Sequence, residues 1–297
     1  MPTPVDPSRG SVPGTRRIVL LGSNGRLGFA LTRHLSRDPT FILHCFDRGQ
    51  INLASPRLID EVLGPLDFDL LINCAAYTAV DDCELQSGHA YLINGHSVGQ
   101  LARLCAAKDA RMIHFSTDYV FDGAKREPYL EDDLPNPLSV YGRSKLMGED
   151  QVREAHSQHL VVRLSWLFGP HRPAFPEWVL RQAASGCVRV IADKISCPTY
   201  SEDVAEWLRP LFFGPLACGN LIHLCNPPAC SWFDYACEIL RCAKSPAQAQ
   251  PISMADLPGL QAARPPYSGL AVTKYEHLTG RRCRPWREAL AEHWMTR

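Results

Sequence analysis

The chain has 297 residues, of which 45% are hydrophobic and 21% charged, a composition typical of a globular protein with a large buried core. Lys plus Arg and Asp plus Glu each number 31, so the formal net charge is zero. A nucleic-acid-binding protein usually carries a basic excess, and no nucleic-acid partner is expected. No apolar run approaches the roughly 20 residues that span a bilayer, so we expect no membrane association and a cytoplasmic protein.

The predicted elements alternate between short apolar runs and amphipathic helices. The predicted strands are 17–21, 41–46, 70–74, 112–116 and 161–166, and the predicted helices are 29–36, 56–63, 89–107 and one that begins near Tyr141. This alternation is typical of an α/β protein with a doubly wound parallel sheet covered on both faces. Residues 1–15 are rich in Pro, Ser and Gly and are expected to form a disordered tail.

After residue 168 the alternation becomes irregular and prolines are frequent. We therefore expect a main domain over 16–168 and a smaller, substrate-binding α/β lobe over 169–297, from which some segments return to the main domain. Twelve cysteines are scattered along the chain. The densest group is Cys225, Cys230, Cys237 and Cys242, beside His223, and it lacks the Cys-x-x-Cys spacing of zinc sites. Reduced, packing cysteines and no metal are expected.

A glycine-rich turn, Gly22-Ser-Asn-Gly25-Arg-Leu-Gly28, lies between the first predicted strand and helix. In this setting glycines permit a tight turn, close approach of the backbone to a pyrophosphate and close packing of helix on strand. The motif predicts a Rossmann-type dinucleotide-binding domain over 16–168. Asp47, after the next strand, favours NADH through the adenosine ribose, whereas Arg48 favours the extra phosphate of NADPH. The cofactor is thus NADPH or NADH.

Tyr141 and Lys145 lie one helical turn apart and share a helix face. A nearby ammonium is expected to lower the pKa of the phenol from its usual value near ~10 towards neutrality. The stretch Ser116-Thr-Asp-Tyr-Val-Phe-Asp122 precedes this pair, and the glycine-rich turn precedes both. Together the three motifs point to nicotinamide chemistry.

These residues resemble the extended short-chain dehydrogenase/reductases and, among them, the dTDP-4-dehydrorhamnose reductase family. The resemblance runs colinearly over residues 16–297. The matching segments are Asn73-Cys-Ala-Ala-Tyr-Thr-Ala-Val-Asp81, His114-Phe-Ser-Thr-Asp-Tyr-Val-Phe-Asp-Gly123, Tyr141-Gly-Arg-Ser-Lys-Leu-Met-Gly-Glu149, Arg163-Leu-Ser-Trp-Leu-Phe-Gly169, Pro198-Thr-Tyr-Ser-Glu-Asp203 and Ala263-Arg-Pro265.

The resemblance implies roles for these positions. Tyr141 would give a proton to the C4 oxygen of the sugar, Lys145 would hold the nicotinamide ribose, and Thr117 would hydrogen-bond the same oxygen. Substrate-binding residues would be Thr117, Asp118, Tyr119, Tyr141, Trp166 as an apolar wall, and Arg264 as the diphosphate cation, ahead of Arg172 and Arg189. Cofactor-binding residues would be Gly22, Asn24, Gly25, Arg26, Leu27, Asp47, Arg48, Asn52, Leu53, Ala75, Ala76, Tyr77, Thr78, Ser116, Tyr141 and Lys145.

The implied activity is NAD(P)H-dependent reduction of the C4 ketone of a nucleotide-linked 6-deoxyhexose such as dTDP-4-dehydro-L-rhamnose, by a monomer or homodimer. Ala174 stands where the family commonly has Asn, which leaves a reductase of another nucleotide keto sugar open. A third hypothesis is a non-catalytic regulatory subunit resembling the beta subunit of methionine adenosyltransferase, which shares the Ser-Thr-Asp-Tyr-Val-Phe stretch. The pair Ser165-Trp166 favours a reductase.

Overall fold

The computed structural model describes residues 14–214, 221–257 and 259–296. The predicted tail therefore lies outside the described residues, apart from its last two positions. The strands are β1 Arg16–Leu21, β2 Phe41–Phe46, β3 Leu70–Asn73, β4 Arg111–Thr117, β5 Leu160–Leu164, β6 Leu167–Phe168, β7 Cys187–Ile191, β8 Ile195–Ser196, β9 Thr199–Tyr200, β10 Leu221–Leu224, β11 Cys230–Ser231 and β12 Gln248–Ile252. The helices are α1 Arg26–Leu35, α2 Pro56–Leu63, α3 Val80–Leu85, α4 Ser87–Tyr91, α5 Ser97–Ala107, α6 Val140–Ala155, α7 Phe175–Ala183, α8 Ser201–Trp207, α9 Trp232–Cys242, α10 Thr273–Thr279 and α11 Trp286–Met295.

The main sheet has six parallel strands in the order β2-β1-β3-β4-β5-β10. This confirms the predicted α/β class with a doubly wound parallel sheet. The strand order reverses between β1 and β3, because β2 lies on one side of β1 and all later strands lie on the other. In such sheets a crevice opens beyond the carboxyl ends of the strands at this point, and ligands bind there.

Alternate residues of β1 pack on opposite faces of the sheet. Leu20 belongs to a hydrophobic cluster with Leu31 of α1, whereas Val19 belongs to a second cluster with Ile59 of α2 and Leu101 of α5. All five side chains are fully buried. Both faces are therefore covered by helices, which explains why the strands are continuous apolar runs.

The elements that we call the second lobe comprise, within the described residues, three two-stranded sheets and the helices α7, α9 and α11. Its core is aromatic and includes Phe168, Tyr200, Tyr235 and Trp286, each no more than 1% exposed. The chain returns to the main sheet at β10, which pairs with β5. The two lobes are therefore connected by several passages of the chain.

Several element boundaries differ from the predictions. The predicted helix over 89–107 is α4 and α5 joined by a π-helical turn, Leu92–His96, because a locally wider turn leaves the apolar spacing almost unchanged. The six-residue helix α3 was not predicted. Strand β5 ends before residue 166, since Trp166 has a φ of 41° and leaves the extended conformation.

The cysteine prediction is correct for Cys225 and Cys230, which are buried, and wrong for Cys237, which is exposed. Cys237 lies on the outer face of α9, whose buried face includes Ala236 and Leu240. Within the described ranges, no group of His, Cys, Asp and Glu side chains could hold a metal ion. No helix in the same ranges has the length and apolar character needed to cross a membrane.

Candidate active site

A cleft of about 600 Å³ opens beyond the carboxyl ends of β1, β3 and β4, at the predicted crevice. The residues predicted from the sequence that line it are Gly22, Asn24, Gly25, Arg26, Leu27, Arg48, Asn52, Leu53, Ala75, Ala76, Tyr77, Thr78, Ser116, Thr117, Asp118, Tyr141, Lys145 and Trp166. Three predicted residues, Asp47, Tyr119 and Arg264, lie outside this lining. The cleft also includes residues that were not assigned to a cofactor or catalytic role, among them Cys74, Ser165 and Arg172.

The glycine-rich turn forms one end of the cleft because its glycines allow close backbone contact. Gly22 has a φ of 74°, and a Cβ there would lie 2.8 Å from the backbone nitrogen of Ala75. A Cβ on Gly28 would lie 2.2 Å from the carbonyl oxygen of Gly22. Gly25 caps α1 without a side-chain hydrogen bond, so the first amide groups of the helix are available to an anion. This end fits a phosphate-bearing ligand.

A buried hydroxyl gives an independent indication of a polar ligand. Ser116 lines the cleft and is 7% exposed, and its Oγ has no hydrogen-bond partner among the described residues. A buried polar atom without a partner costs free energy unless a ligand or water satisfies it. The residues of the cleft therefore fit a dinucleotide, whose ribose and carboxamide groups can supply such a partner.

The two residues predicted to select the cofactor differ in whether the protein itself already binds their side chains. Asp47 Oδ1 accepts from the backbone nitrogens of Gly49 at 2.8 Å and Gln50 at 3.2 Å. Its Oδ2 accepts from Asn24 Nδ2 at 2.8 Å. The carboxylate thus already stabilises its own turn, whereas Arg48 lines the cleft with an exposed side chain. Their roles in selecting the cofactor stay a prediction.

Lys145 enters the cleft from the first turns of α6. Ser139 caps this helix by accepting from the backbone nitrogen of Gly142 at 3.1 Å. The ammonium of Lys145 donates to the carbonyl oxygen of Phe115 at 2.6 Å and lies 3.2 Å from His114 Nε2. Burial lowers the pKa of Lys145 to about 8, and the carboxylate of Glu149 opposes this change. Lys145 is therefore a cation fixed at the base of the cleft.

The pKa of Tyr141 differs from the sequence-based expectation. Desolvation of the phenol raises its pKa, and a hydrogen bond with Thr117 opposes the rise. The Lys145 ammonium is directed to the Phe115 carbonyl, and its charge is not among the causes that lower the pKa of Tyr141. A raised pKa keeps the phenol protonated at neutral pH, and this is the state required of a proton donor.

The aromatic and cationic residues predicted to bind the substrate differ in their contacts with the rest of the protein. Trp166 is half-buried and lines the cleft, with its ring centroid 5.1 Å from that of Trp232. The Tyr119 ring meets the edge of the Tyr141 ring at 5.7 Å. Arg264 donates to both carboxylate oxygens of Asp81, at 3.0 and 2.6 Å. Trp166 thus lies in the lining of the cleft, whereas Arg264 lies outside this lining and is held by an ion pair with Asp81.

Asp118 is a buried carboxylate next to Thr117, and the protein itself satisfies both of its oxygens. Oδ1 accepts from Thr117 Oγ1 at 3.2 Å, and Oδ2 accepts from Ser165 Oγ at 3.0 Å and Ser268 Oγ at 2.5 Å. Burial raises the pKa of Asp118, and the charge of Lys194 opposes the rise. This carboxylate joins three chain segments around the hydroxyl of Thr117.

Comparison with known proteins identifies the family. The RmlD substrate binding domain matches residues 16–296. The chain belongs to this family. It is 36% identical over 284 residues to the dTDP-4-dehydrorhamnose reductase of Mycobacterium tuberculosis (strain CDC 1551 / Oshkosh), covering 93% of this chain and 92% of the relative. It is 33% identical over 282 residues to the spore coat polysaccharide biosynthesis protein SpsK of Bacillus subtilis (strain 168), covering 95% and 98%.

A solved structure agrees with these relatives. The dTDP-4-dehydrorhamnose reductase of Bacillus anthracis in complex with NADP superimposes with a TM-score of 0.90 at 30% identity, covering 95% of this chain and all of that one. This RmlD-family chain is an oxidoreductase of the extended short-chain dehydrogenase/reductase type that binds NAD(P)H. The non-catalytic regulatory hypothesis is therefore set aside.

In this RmlD-family chain, Lys194 is a buried cation that the sequence analysis missed. It is 1% exposed, and its Nζ donates to the carbonyl oxygen of Pro265 at 2.9 Å and lies 4.9 Å from the ring centroid of Tyr119. Burial lowers its pKa to about 8, and Asp118 opposes this change. The sequence offered one signal, a lysine between two apolar stretches, but could not show that its charge acts on Asp118.

Replacing Lys194 by Met is expected to make stability more sensitive to pH. The pKa of Asp118 is raised in the folded state. Its protonated carboxyl group therefore contributes to the free energy of unfolding at acid pH, and this contribution is lost as the pH rises. Without Lys194 the pKa of Asp118 rises further. Between about pH 4 and about pH 7 the free energy of unfolding of the variant should therefore fall by about 1–3 kcal/mol more than that of wild type. Lys194 of the wild type stays protonated throughout this range. The measurement is urea-induced unfolding of both proteins at several pH values within this range.

The double variant Lys194→Met/Asp118→Asn is the control, because it has no carboxylate to titrate. Its own free energy of unfolding should change less between about pH 4 and about pH 7 than that of the single variant. A single variant whose stability difference stays constant with pH would disprove the electrostatic link.

Proposed function

We propose that this chain reduces the C4 ketone of a nucleotide-linked 6-deoxyhexose with NADPH or NADH, and that dTDP-4-dehydro-L-rhamnose is the substrate and dTDP-L-rhamnose the product. The proposal rests on the meeting of Tyr141, Thr117 and Lys145 at one end of a cleft whose other end is the glycine-rich turn. Two relatives named as dTDP-4-dehydrorhamnose reductases support the choice of sugar.

The chemistry divides between cofactor and protein. When bound, the reduced nicotinamide supplies a hydride to the ketone carbon. As negative charge develops on the C4 oxygen, Tyr141 donates its phenolic proton to it and Thr117 hydrogen-bonds the same oxygen. The ketone thereby gains a hydride and a proton and becomes an alcohol. Lys145, whose ammonium donates to the Phe115 carbonyl, is the proposed donor to the nicotinamide ribose.

The substrate would occupy the part of the cleft between Tyr141 and Trp166. The indole of Trp166 gives a polar sugar one apolar face. The Thr117 hydroxyl donates its single proton to Asp118 Oδ1 in this structure and would turn that proton towards the C4 oxygen when the sugar binds. Arg264 is the proposed cation for the diphosphate, with its guanidinium oriented by Asp81.

One observation favours a second candidate, a reductase of another nucleotide keto sugar. Ala174 precedes α7 and packs against the aromatic cluster of the second lobe. Its methyl group cannot make the hydrogen bond that an asparagine side chain would offer, so the polar contact of the common family pattern is missing at this position.

The test is the loss of reduced-nicotinamide absorbance on mixing the protein with freshly generated dTDP-4-dehydro-L-rhamnose. We expect rapid oxidation with NADPH, NADH or both, and slower oxidation with other nucleotide keto sugars under the same conditions. Faster turnover of another sugar would select the second candidate. No oxidation of any of these sugars, in protein shown by titration to bind cofactor, would overturn the proposed reaction.

A further inference from the structure

The segment 169–173, between β6 and α7, crosses the glycine-rich turn, and Arg26 holds it there. Arg26 Nη1 donates to the carbonyl oxygens of Gly169 at 3.1 Å and Arg172 at 2.6 Å. Its Nη2 donates to the carbonyl oxygen of Pro173 at 2.9 Å. The guanidinium of Arg26, predicted to bind cofactor, is thus occupied in joining the two lobes.

Two further contacts fasten the same segment. The His171 ring stacks on the Phe29 ring, with centroids 4.1 Å apart and planes within 4°. His171 Nε2 lies 3.1 Å from the carbonyl oxygen of Asn24, and Arg172 Nε donates to that oxygen at 2.7 Å. Both the backbone and the side chain of Arg172 are therefore fixed against the turn.

This arrangement leaves a positive charge at the cleft. Arg172 lines the cleft, and among the described residues its side chain makes a hydrogen bond through Nε alone. The ion pairs within the described ranges do not include Arg172. Its two η nitrogens remain available for an anion, next to a helix N-terminus that has no side-chain cap.

We propose that Arg172, a residue of the second lobe, binds a phosphate group of the dinucleotide. A guanidinium presents paired N–H groups that match two oxygens of one phosphate, and its hydrogen bonds to an anion are among the strong ones in proteins. Because its contacts already order Arg172, little conformational entropy is lost on binding. Cofactor binding would then tie the two lobes together through one side chain.

The position of Arg172 distinguishes this role from the substrate role that the sequence allowed. Its Nε is bound to Asn24, and Asn24 Nδ2 is bound to Asp47 at the adenosine end. Tyr141 and Thr117 mark the reacting end of the same cleft. The phosphate is either the diphosphate of both cofactors or the 2′-phosphate of NADPH. The inference does not depend on which sugar is reduced.

The experiment is a fluorescence titration of Arg172→Met with NADPH and with NADH, in the absence of sugar. We expect the dissociation constant for NADPH to rise about 10- to 100-fold, as for loss of a charged hydrogen bond. Arg172→Lys should recover part of the affinity. Arg181→Met, which removes an exposed arginine on α7, is the matched control and should stay within about twofold of wild type.

The two cofactors distinguish the two phosphates. Equal loss of affinity for NADH and NADPH identifies the diphosphate, and loss confined to NADPH identifies the 2′-phosphate. The dependence of affinity on salt should also weaken in Arg172→Met, because one charge pair is gone. A merely structural role for Arg172 would leave this salt dependence unchanged. Unchanged affinity for both cofactors, or an unchanged salt dependence, would overturn the proposal.

Discussion

Replacing Tyr141 by Phe is expected to lower kcat by about 10²–10⁴-fold, the usual contribution of a positioned general acid. The substitution removes only the hydroxyl, and the ring can keep its edge contact with Tyr119. Because the desolvated phenol of the wild type is protonated at neutral pH, its loss removes the proton source for the C4 oxygen. Steady-state kinetics with saturating cofactor and sugar is the measurement.

Cofactor affinity separates a chemical effect from a structural one. The dissociation constant for NADPH should change by no more than about threefold in Tyr141→Phe, since the hydroxyl is required in the transition state rather than for binding. Tyr275→Phe removes a buried hydroxyl that donates to the carbonyl oxygen of Trp207, and it should keep wild-type kcat. Substantial residual reduction by Tyr141→Phe would refute the assigned proton donor.

Replacing Arg163 by Met is expected to destabilise the protein by about 3–5 kcal/mol. Arg163 on β5 is 1% exposed and donates to both oxygens of Glu149 on α6, at 2.9 and 2.7 Å. Glu149 is fully buried, so removal of Arg163 takes away the cation that donates hydrogen bonds to its carboxylate in the core. Denaturant unfolding of the single variant, followed by circular dichroism, measures the loss.

The double variant Arg163→Met/Glu149→Leu provides the control. Replacing a buried ion pair by apolar side chains is often neutral, so the double variant should recover most of the stability that the single variant lost. Glu149 also lies one turn beyond Lys145, whose pKa its charge raises, so the double variant should change the pH dependence of activity. A single variant less than about 1 kcal/mol below wild type would show that the pair is dispensable.

Local features of this protein follow from its sequence. Strand β2 and helix α2 have the predicted boundaries, because the apolar spacing of each is sufficient to define it. The glycine-rich turn and the Tyr141–Lys145 pair could also be predicted, since a tight turn and an i, i+4 spacing are properties of a few consecutive residues. The parallel sheet then follows from the alternation of strands and helices.

Other features required the tertiary structure. The sequence placed Lys145 beside the phenol but could not reveal that the Phe115 carbonyl receives its ammonium. The pKa of Tyr141 is raised, whereas the sequence predicted that it is lowered. The sequence could not show this because desolvation is the sum of contributions from many residues far apart in the chain. Similarly, Arg26 fits a phosphate-binding motif, yet its side chain binds carbonyl groups of the second lobe.

The sequence by itself therefore determined the α/β class and the family. Each of these depends on spacing within a short segment or on colinear motifs. Only the tertiary structure decided that the charge of Lys194 acts on Asp118 and that Arg172 contacts the glycine-rich turn. The physical reason is that charge pairing and burial act through space between segments far apart in the chain, and residue spacing carries no record of those distances.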